Sequence, residues 1–146
     1  MEEHAAPPTV YQVHGSTAPG GEARIRAATQ TIPVDGSWAS APTGAPGPAD
    51  LLAAAFAACL LKNVERSGKL LPFRYQRAEV DVRASRQDSP PRFTAFTYEL
   101  RLVTDEPQRR IDLLHQNLRR HGTVYNTLAA VSEVDGTIVS VPPPVE

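Results

Sequence analysis

The only cysteine of the chain, Cys59, is the side chain with the clearest capacity for covalent chemistry. A thiolate attacks peroxides and disulfides, but it forms near neutral pH only where a cation or a helix N-terminus stabilises it. Cys59 lies in the apolar run AAAFAACLL, where a free cysteine also serves as a small buried hydrophobe. The run alone leaves both interpretations open.

The four histidines do not follow a metal-binding pattern. His115 and His121 are six residues apart, so on one helix they would not share a face. His4 and His14 lie far from them in sequence, and the single cysteine adds no further set of ligands. The chain also lacks a Ser/His/Asp nucleophile elbow and a glycine-rich phosphate loop. We therefore expect neither a metal nor another cofactor.

The run around Cys59 belongs to a predicted helix over residues 49–66, which is rich in strong helix formers. Pro48 and Asp50 suit its first turn, and Gly68 suits its end. One stripe of this helix, at spacings of three and four residues, carries Leu52, Phe56, Cys59 and Asn63. Alanines cover much of the remaining surface, so the pattern predicts a central helix that is buried on all sides.

Alternating apolar and polar residues predict strands before and after this helix. The predicted strands span residues 9–16, 22–35, 73–87, 92–103 and 136–141, and two further helices span residues 106–122 and 123–131. A turn at residues 19–21 joins the first two strands, and DSPP at 88–91 predicts an antiparallel hairpin. The order β-β-α-β-β-α-α-β is an α+β fold. The long loop at 36–50 contains Trp38, which either walls a ligand pocket or anchors the loop.

Length and charge exclude several classes of protein. A chain of 146 residues suits one domain, 1–146, with short tails at 1–8 and 142–146. The net charge of −1 argues against a nucleic-acid partner. The longest apolar run, 51–61, falls well short of the ~20 residues that span a bilayer. The acidic N-terminus lacks the apolar stretch of a secretory signal, and a single cysteine fits a reducing cytoplasm.

The segments GPADLLAAAFAACLL and RRHGTVYNTL, within the predicted order of elements, resemble the OsmC/Ohr family of thiol-dependent organic hydroperoxide reductases. The resemblance extends over residues 9–141. It implies an intertwined homodimer in which antiparallel sheets wrap around central helices and the active sites lie at the subunit interface. It also implies that one cysteine attacks the peroxide and that a second resolves the product as a disulfide.

Cys59 matches the first cysteine of that family pattern, while the second would fall at Gly122 and is absent. The pattern's glutamate falls at Ala49, with Asp50 beside it. Asp50 lies nine residues before Cys59, so a regular helix puts the two on opposite sides at ~100° per residue. The pattern's arginine is matched best by Arg24 and next by Arg26. Substrate contacts are expected from Leu52, Phe56, Leu60, Trp38, His121 and Tyr125.

Two functions follow from these residues. In the first, Cys59 reduces organic or lipid hydroperoxides in oxidative stress defence, Arg24 activates it, and an external thiol or dithiol regenerates it. In the second, the dimer has lost catalysis and binds a small apolar ligand or has a structural role. The missing second cysteine and glutamate favour the second function, and the Ala-Ala-Cys helix with arginines upstream favours the first.

Overall fold

The computed structural model describes residues 6–20 and 22–145, with elements in the order β-β-β-α-β-β-α-α-β. This mixture of strands and helices confirms the predicted α+β class. Contacts divide the chain into two compact units, one ending at Pro48 and the other beginning at Ala49. A single domain over residues 1–146 stays a prediction.

The first unit contains a three-stranded antiparallel sheet, which consists of β1 (His14–Thr17), β2 (Glu22–Ala27) and β3 (Gln30–Asp35). The single strand predicted at 22–35 is wrong, because the chain reverses after Ala27 and pairs Ile25 with Ile32. No Gly, Asn or Pro marks this reversal, and Ala28 adopts the positive φ of 52°. β1 begins five residues later than predicted, and Gly21 of the predicted turn lies outside the described residues.

The second unit contains all but the first residue of helix α1 (Pro48–Leu70). This helix confirms the predicted one and extends four residues beyond its predicted end. Gly68 lies inside α1 and does not end it. A β-carbon at position 68 would lie 3.3 Å from the ring of Tyr75 and 3.4 Å from the carbonyl oxygen of Phe73. The glycine therefore permits the chain that follows α1 to pack closely against the helix.

Only one face of α1 is buried in the single chain. Its fully buried residues are Phe56, Leu60, Val64 and Ser67. The opposite face, which we call the alanine face, consists of Ala54, Ala55, Ala58 and Leu61, and all four are exposed. Burial on all sides, as predicted from the sequence, is therefore not reached within one chain.

A second sheet has the strand order β4-β5-β6 and contains β4 (Arg77–Asp88), β5 (Pro91–Val103) and β6 (Glu133–Val141). The predicted β4–β5 hairpin is confirmed, but the purely antiparallel arrangement is wrong because β6 pairs parallel to β5. Helices α2 (Gln108–His121) and α3 (Thr123–Ala129) connect these two strands. Such a helical crossover returns the chain to the end of the sheet from which β5 started, so β6 runs in the same direction.

The core of the second unit lies between this sheet and the three helices. It consists of one face of α1, alternate residues of β5 and the apolar stripes of α2 and α3, and its central members are Phe56, Leu60, Phe96, Tyr98, Leu100, Leu102, Leu114, Leu118 and Tyr125. Each fully buried leucine or phenylalanine contributes about 2 kcal/mol to folding. Cys59 lies on α1 between two of these residues, at the edge of the core.

Candidate active site at Cys59

Cys59 is a free, half-buried cysteine in the middle of α1. The side chain of Asn63, one helical turn later, lies against it. The Asn63 Nδ2 donates a hydrogen bond of 2.8 Å to the Cys59 carbonyl oxygen and lies 3.6 Å from the Cys59 Sγ. The sulfur therefore has an amide donor within the distance of an N–H···S hydrogen bond.

Gly122, at the junction of α2 and α3, lies directly beside this sulfur. A β-carbon at position 122 would lie 3.4 Å from the Cys59 Sγ. It would also lie 2.9 Å from Cβ of Tyr125, closer than real β-carbons pack, and 3.0 Å from the carbonyl oxygen of Leu118, which is a tight contact. The two positions that the family resemblance pairs as cysteines are thus adjacent, but a side chain at 122 requires its neighbours to shift.

A pair of polar side chains, the buried Tyr98 and the half-buried His115, lies between β5 and α2. The hydroxyl of Tyr98 and the Nε2 of His115 are 2.6 Å apart. Burial raises the pKa of Tyr98 well above its ordinary value, and the neighbouring Tyr125 raises it further. Burial also lowers the pKa of His115, and the charge of Arg119 lowers it further. Both side chains are therefore held in their neutral forms at neutral pH.

Gly136 on β6 makes room for this pair. A β-carbon at position 136 would lie 2.4 Å from three atoms of the Tyr98 ring. The ring therefore lies flat over the backbone of β6, at a position that only glycine leaves open. This close approach fixes the direction in which the Tyr98 hydroxyl points.

Tyr125 connects the Tyr98–His115 pair to the surroundings of Cys59. Its ring centroid lies 6.1 Å from that of Tyr98 and 5.7 Å from that of Phe56, both with edge-to-face geometry. Arg119 lies on the solvent side, with its guanidinium 3.4 Å from the Asp135 carboxylate. The pKa of Arg119 is raised, mainly by its interaction with the Tyr98 hydroxyl. The site thus combines a half-buried thiol with a rigid aromatic wall.

The arginines predicted for the site lie in the first unit. Arg24 and Arg26 are exposed residues of β2, and the Arg24 guanidinium lies 4.0 Å from the Glu22 carboxylate. Trp38 is 91% exposed and lines a shallow depression of the same unit with Pro19. That either arginine stabilises the Cys59 thiolate stays a prediction.

The remaining predicted residues lie on the helices of the second unit. Asp50 is exposed in the first turn of α1, and His121 is exposed at the end of α2. Leu52 is half-buried against the core, whereas Phe56 and Leu60 are fully inside it. Phe56 and Leu60 contact other core side chains and have no surface for a substrate in this arrangement.

Sequence reasoning missed four residues of this region, namely Asn63, Tyr98, His115 and Arg119. A signal for His115 exists, because it falls within the apolar stripe of α2 beside Leu114 and Leu118. A histidine in such a stripe needs a polar partner, which a search for metal spacing does not look for. No comparable signal pairs it with Tyr98, since the two are 17 residues apart.

Two further features bear on cofactors and membranes. Among residues 6–20 and 22–145, no three His, Cys, Asp or Glu side chains lie close enough to hold a metal ion. Over the same residues, no helix combines the length and the apolar character needed to cross a membrane.

Comparisons with known proteins agree with this arrangement. The family model of OsmC-like proteins matches residues 41–135. An OsmC-like protein from Mycoplasma pneumoniae has a similar structure, with a TM-score of 0.78 at 14% identity over 93% of this chain and 99% of the other. The organic hydroperoxide resistance protein OsmC of Legionella pneumophila is similar as well, with a TM-score of 0.70 at 16% identity over 92% of this chain and 100% of the other.

The organic hydroperoxide resistance protein OhrB of Bacillus subtilis is also similar, with a TM-score of 0.65 at 15% identity over 90% of this chain and 98% of the other. No curated protein is significantly similar in sequence. At such identities the solved structures establish the fold, and the family model, which covers more than half of the chain, establishes the family. This chain belongs to the OsmC-like protein family.

Proposed function

We propose that the protein is a one-cysteine peroxidase that reduces organic hydroperoxides with an external thiol. The observation that carries this proposal is the position of the Cys59 sulfur, half-buried beside Gly122 and within reach of the Asn63 amide. Membership of the OsmC-like family supports it, as do the names of the two organic hydroperoxide resistance proteins with the same fold.

The first chemical step consumes the peroxide. The Cys59 thiolate attacks the outer oxygen of ROOH, an S–O bond forms and the O–O bond breaks. The leaving alkoxide takes up a proton and departs as the alcohol ROH. Cys59 is thereby oxidised to a sulfenic acid, and the peroxide is reduced by the same two electrons.

The second step needs a thiol from outside the chain, because position 122 carries no side chain. One external thiol attacks the sulfenic sulfur, which releases water and leaves a mixed disulfide on Cys59. A second thiol, or the other thiol of a dithiol, then displaces Cys59 and leaves as the oxidised disulfide. A monothiol or dithiol reductant therefore completes the cycle, in keeping with a reducing cytoplasm.

We assign the activation of the thiolate to Arg24, with Arg26 as the second candidate. Asp50 is the acidic residue nearest to the place of the missing glutamate, and it would take that role only from a distorted first turn of α1. A guanidinium favours the charged sulfur by Coulomb attraction. The two arginines are exposed on β2, where the only ion pair of Arg24 among the described residues is a solvent-exposed one with Glu22.

The active form is proposed to be a homodimer. The exposed alanine face of α1 supports this, because small side chains permit a second copy of the chain to approach the helix closely. The exposed Val10, Tyr11 and Trp38, each more than 80% accessible, give further apolar surface for such an interface. The organic group of the peroxide would contact Leu52, Trp38, His121 and Tyr125, while Phe56 and Leu60 form the core behind Leu52.

The test is the loss of cumene hydroperoxide in the presence of excess dithiothreitol. We expect turnover by the wild-type protein and none above background by Cys59→Ser. Replacement of Arg24 by glutamine is expected to lower the rate at least tenfold, about 1.4 kcal/mol of transition-state stabilisation. Equal rates for the wild type and Cys59→Ser would contradict the proposal.

The alternative is a non-catalytic dimer that binds a small apolar ligand. The absence of a second cysteine and the 91% exposed Trp38 favour it. It predicts a thiol that reacts slowly with iodoacetamide, no loss of peroxide, and a change of Trp38 fluorescence on addition of an apolar ligand. The peroxidase predicts fast alkylation together with loss of peroxide.

A further inference from the structure

Asn63 makes two contacts with Cys59 through a single atom. Its Nδ2 lies 2.8 Å from the Cys59 carbonyl oxygen and 3.6 Å from the Cys59 Sγ. An amide nitrogen carries two hydrogens, so one hydrogen bonds the carbonyl while the other points toward the sulfur. The carbonyl also fixes the orientation of the amide, because a carbonyl oxygen only accepts and would repel the Oδ1 of Asn63.

The residue type at position 63 is not explained by the stability of the helix. Asparagine is about 0.5 kcal/mol less favourable than leucine inside a helix. Its neighbours at 60, 61 and 64 are Leu, Leu and Val, so an apolar residue would suit the same half-buried position. The amide instead gives the residue its two polar contacts, one with the Cys59 carbonyl and one with the sulfur.

A local donor is needed because the helix gives the sulfur little help. The dipole of a helix stabilises anions only within its first turn. Cys59 lies eleven residues beyond Pro48, the first residue of α1. A hydrogen bond to a charged acceptor is roughly twice as strong as one to a neutral acceptor, so an N–H donor favours the thiolate over the thiol.

We propose that the side-chain amide of Asn63 stabilises the Cys59 thiolate and so maintains the sulfur as a nucleophile. This inference rests on the proposed peroxidase function for its purpose, but the effect on the thiol is measurable without a peroxide. Asn63 contacts the reacting atom itself and adds a donor from within α1 to the positive charge assigned to the arginines.

The experiment measures the rate of alkylation of Cys59 by iodoacetamide from pH 5 to pH 10 in the folded protein. For Asn63→Ala we expect the midpoint of the profile to move upward and the rate at pH 6 to fall about tenfold. Asn63→Asp should move it further, because a carboxylate at the same place repels the thiolate. The difference between Asn63→Ala and the wild type should shrink steadily as the pH rises toward 10.

Asn117 provides a matched control. On α2 its Nδ2 donates the same type of bond to the carbonyl four residues earlier, at 3.0 Å, but the residue there is Leu113. Asn117→Ala should leave the alkylation profile unchanged. If Asn63→Ala keeps the wild-type midpoint, or lowers the rate equally at every pH, the inference is overturned. Peroxide consumption by the wild type is measured in a separate experiment. If the wild type consumes no peroxide, the proposed function is overturned but the alkylation result still tests the role of Asn63.

Discussion

Strand β5 carries polar contacts on both of its faces. A contact on the inner face and one on the outer face have the same interatomic distance but differ in how far they are buried. On the inner face, Tyr98 is 4% exposed and its hydroxyl lies 2.6 Å from His115. On the outer face, the Arg101 side chain is 38% exposed and also lies 2.6 Å from a partner, Asp81. The two contacts therefore contribute differently to stability although their distances are equal. A group shielded from solvent that loses its partner is poorly compensated by water, whereas an exposed group bonds to water instead.

The largest effect is expected where the inner face has no room. Gly136→Ala would place a β-carbon 2.4 Å from the Tyr98 ring and should lower the free energy of unfolding by about 3 kcal/mol. The control is Gly15→Ala in β1, where the nearest atoms would lie 3.9 Å away. Urea unfolding followed by circular dichroism measures both. Equal stability of the two variants would mean that Tyr98 does not lie over β6.

The next effect separates a buried hydroxyl from an exposed one. Tyr98→Phe leaves the Nε2 of the half-buried His115 without its partner and should lower the free energy of unfolding by about 1 kcal/mol. Tyr75→Phe removes a hydroxyl that lies 2.6 Å from Glu65 at the surface, and should lower it by about 0.5 kcal/mol. Urea unfolding of both variants gives the comparison. A larger loss for Tyr75→Phe would reverse the order that burial predicts.

The pH dependence of stability tests the inner pair in a second way. The pKa of His115 is lowered in the folded protein from its ordinary value of 6.5. Just below pH 6.5 the unfolded chain therefore binds a proton at this residue more readily than the folded chain does, and protonation favours unfolding. The contribution of His115 to stability is complete above pH 6.5 and is lost as the pH falls through the folded pKa.

His115→Gln should therefore flatten the stability profile between pH 7 and pH 5. Thermal unfolding at four pH values measures it. An unchanged slope in His115→Gln would show that other groups cause the acid destabilisation.

The smallest effect belongs to the outer face. Arg101 lies near Glu79, Asp81 and Glu99, all of them partly or fully exposed. Arg101→Gln should change stability less than Gly136→Ala or Tyr98→Phe, and the change should disappear at 1 M salt because ions screen exposed charges. A loss that persists at 1 M salt would indicate a buried component. Thermal unfolding with and without salt distinguishes the two.

The fold was predictable wherever local patterns specify it. The Ala/Leu-rich stretch specified α1, and alternation with a proline-containing turn specified the β4–β5 hairpin. The reversal at Ala28 escaped prediction because it lacks glycine and asparagine, the residues that usually permit a positive φ there. The parallel pairing of β6 depends on the path of two helices, which is a property of the whole unit and not of its own nine residues.

The site was predictable only in part, for a similar reason. Cys59 and position 122 could be matched by motif, and the structure brings them together. The contact of Asn63 with the sulfur follows from the helical spacing of four residues, although the sequence gives no sign that its amide points there. The Tyr98–His115 pair requires the register of β5 against α2, which no local pattern contains.

The most direct test of the one-cysteine account follows the sulfur through a single turnover. Reduced protein receives one equivalent of cumene hydroperoxide and then one equivalent of 2-mercaptoethanol, and intact mass spectrometry follows each step. The account predicts that the free thiol of Cys59 disappears on addition of peroxide and that each chain then gains one mercaptoethanol, which dithiothreitol removes. A thiol that remains free while the peroxide persists would contradict it, and a disulfide between two chains in place of the adduct would contradict resolution by an external thiol.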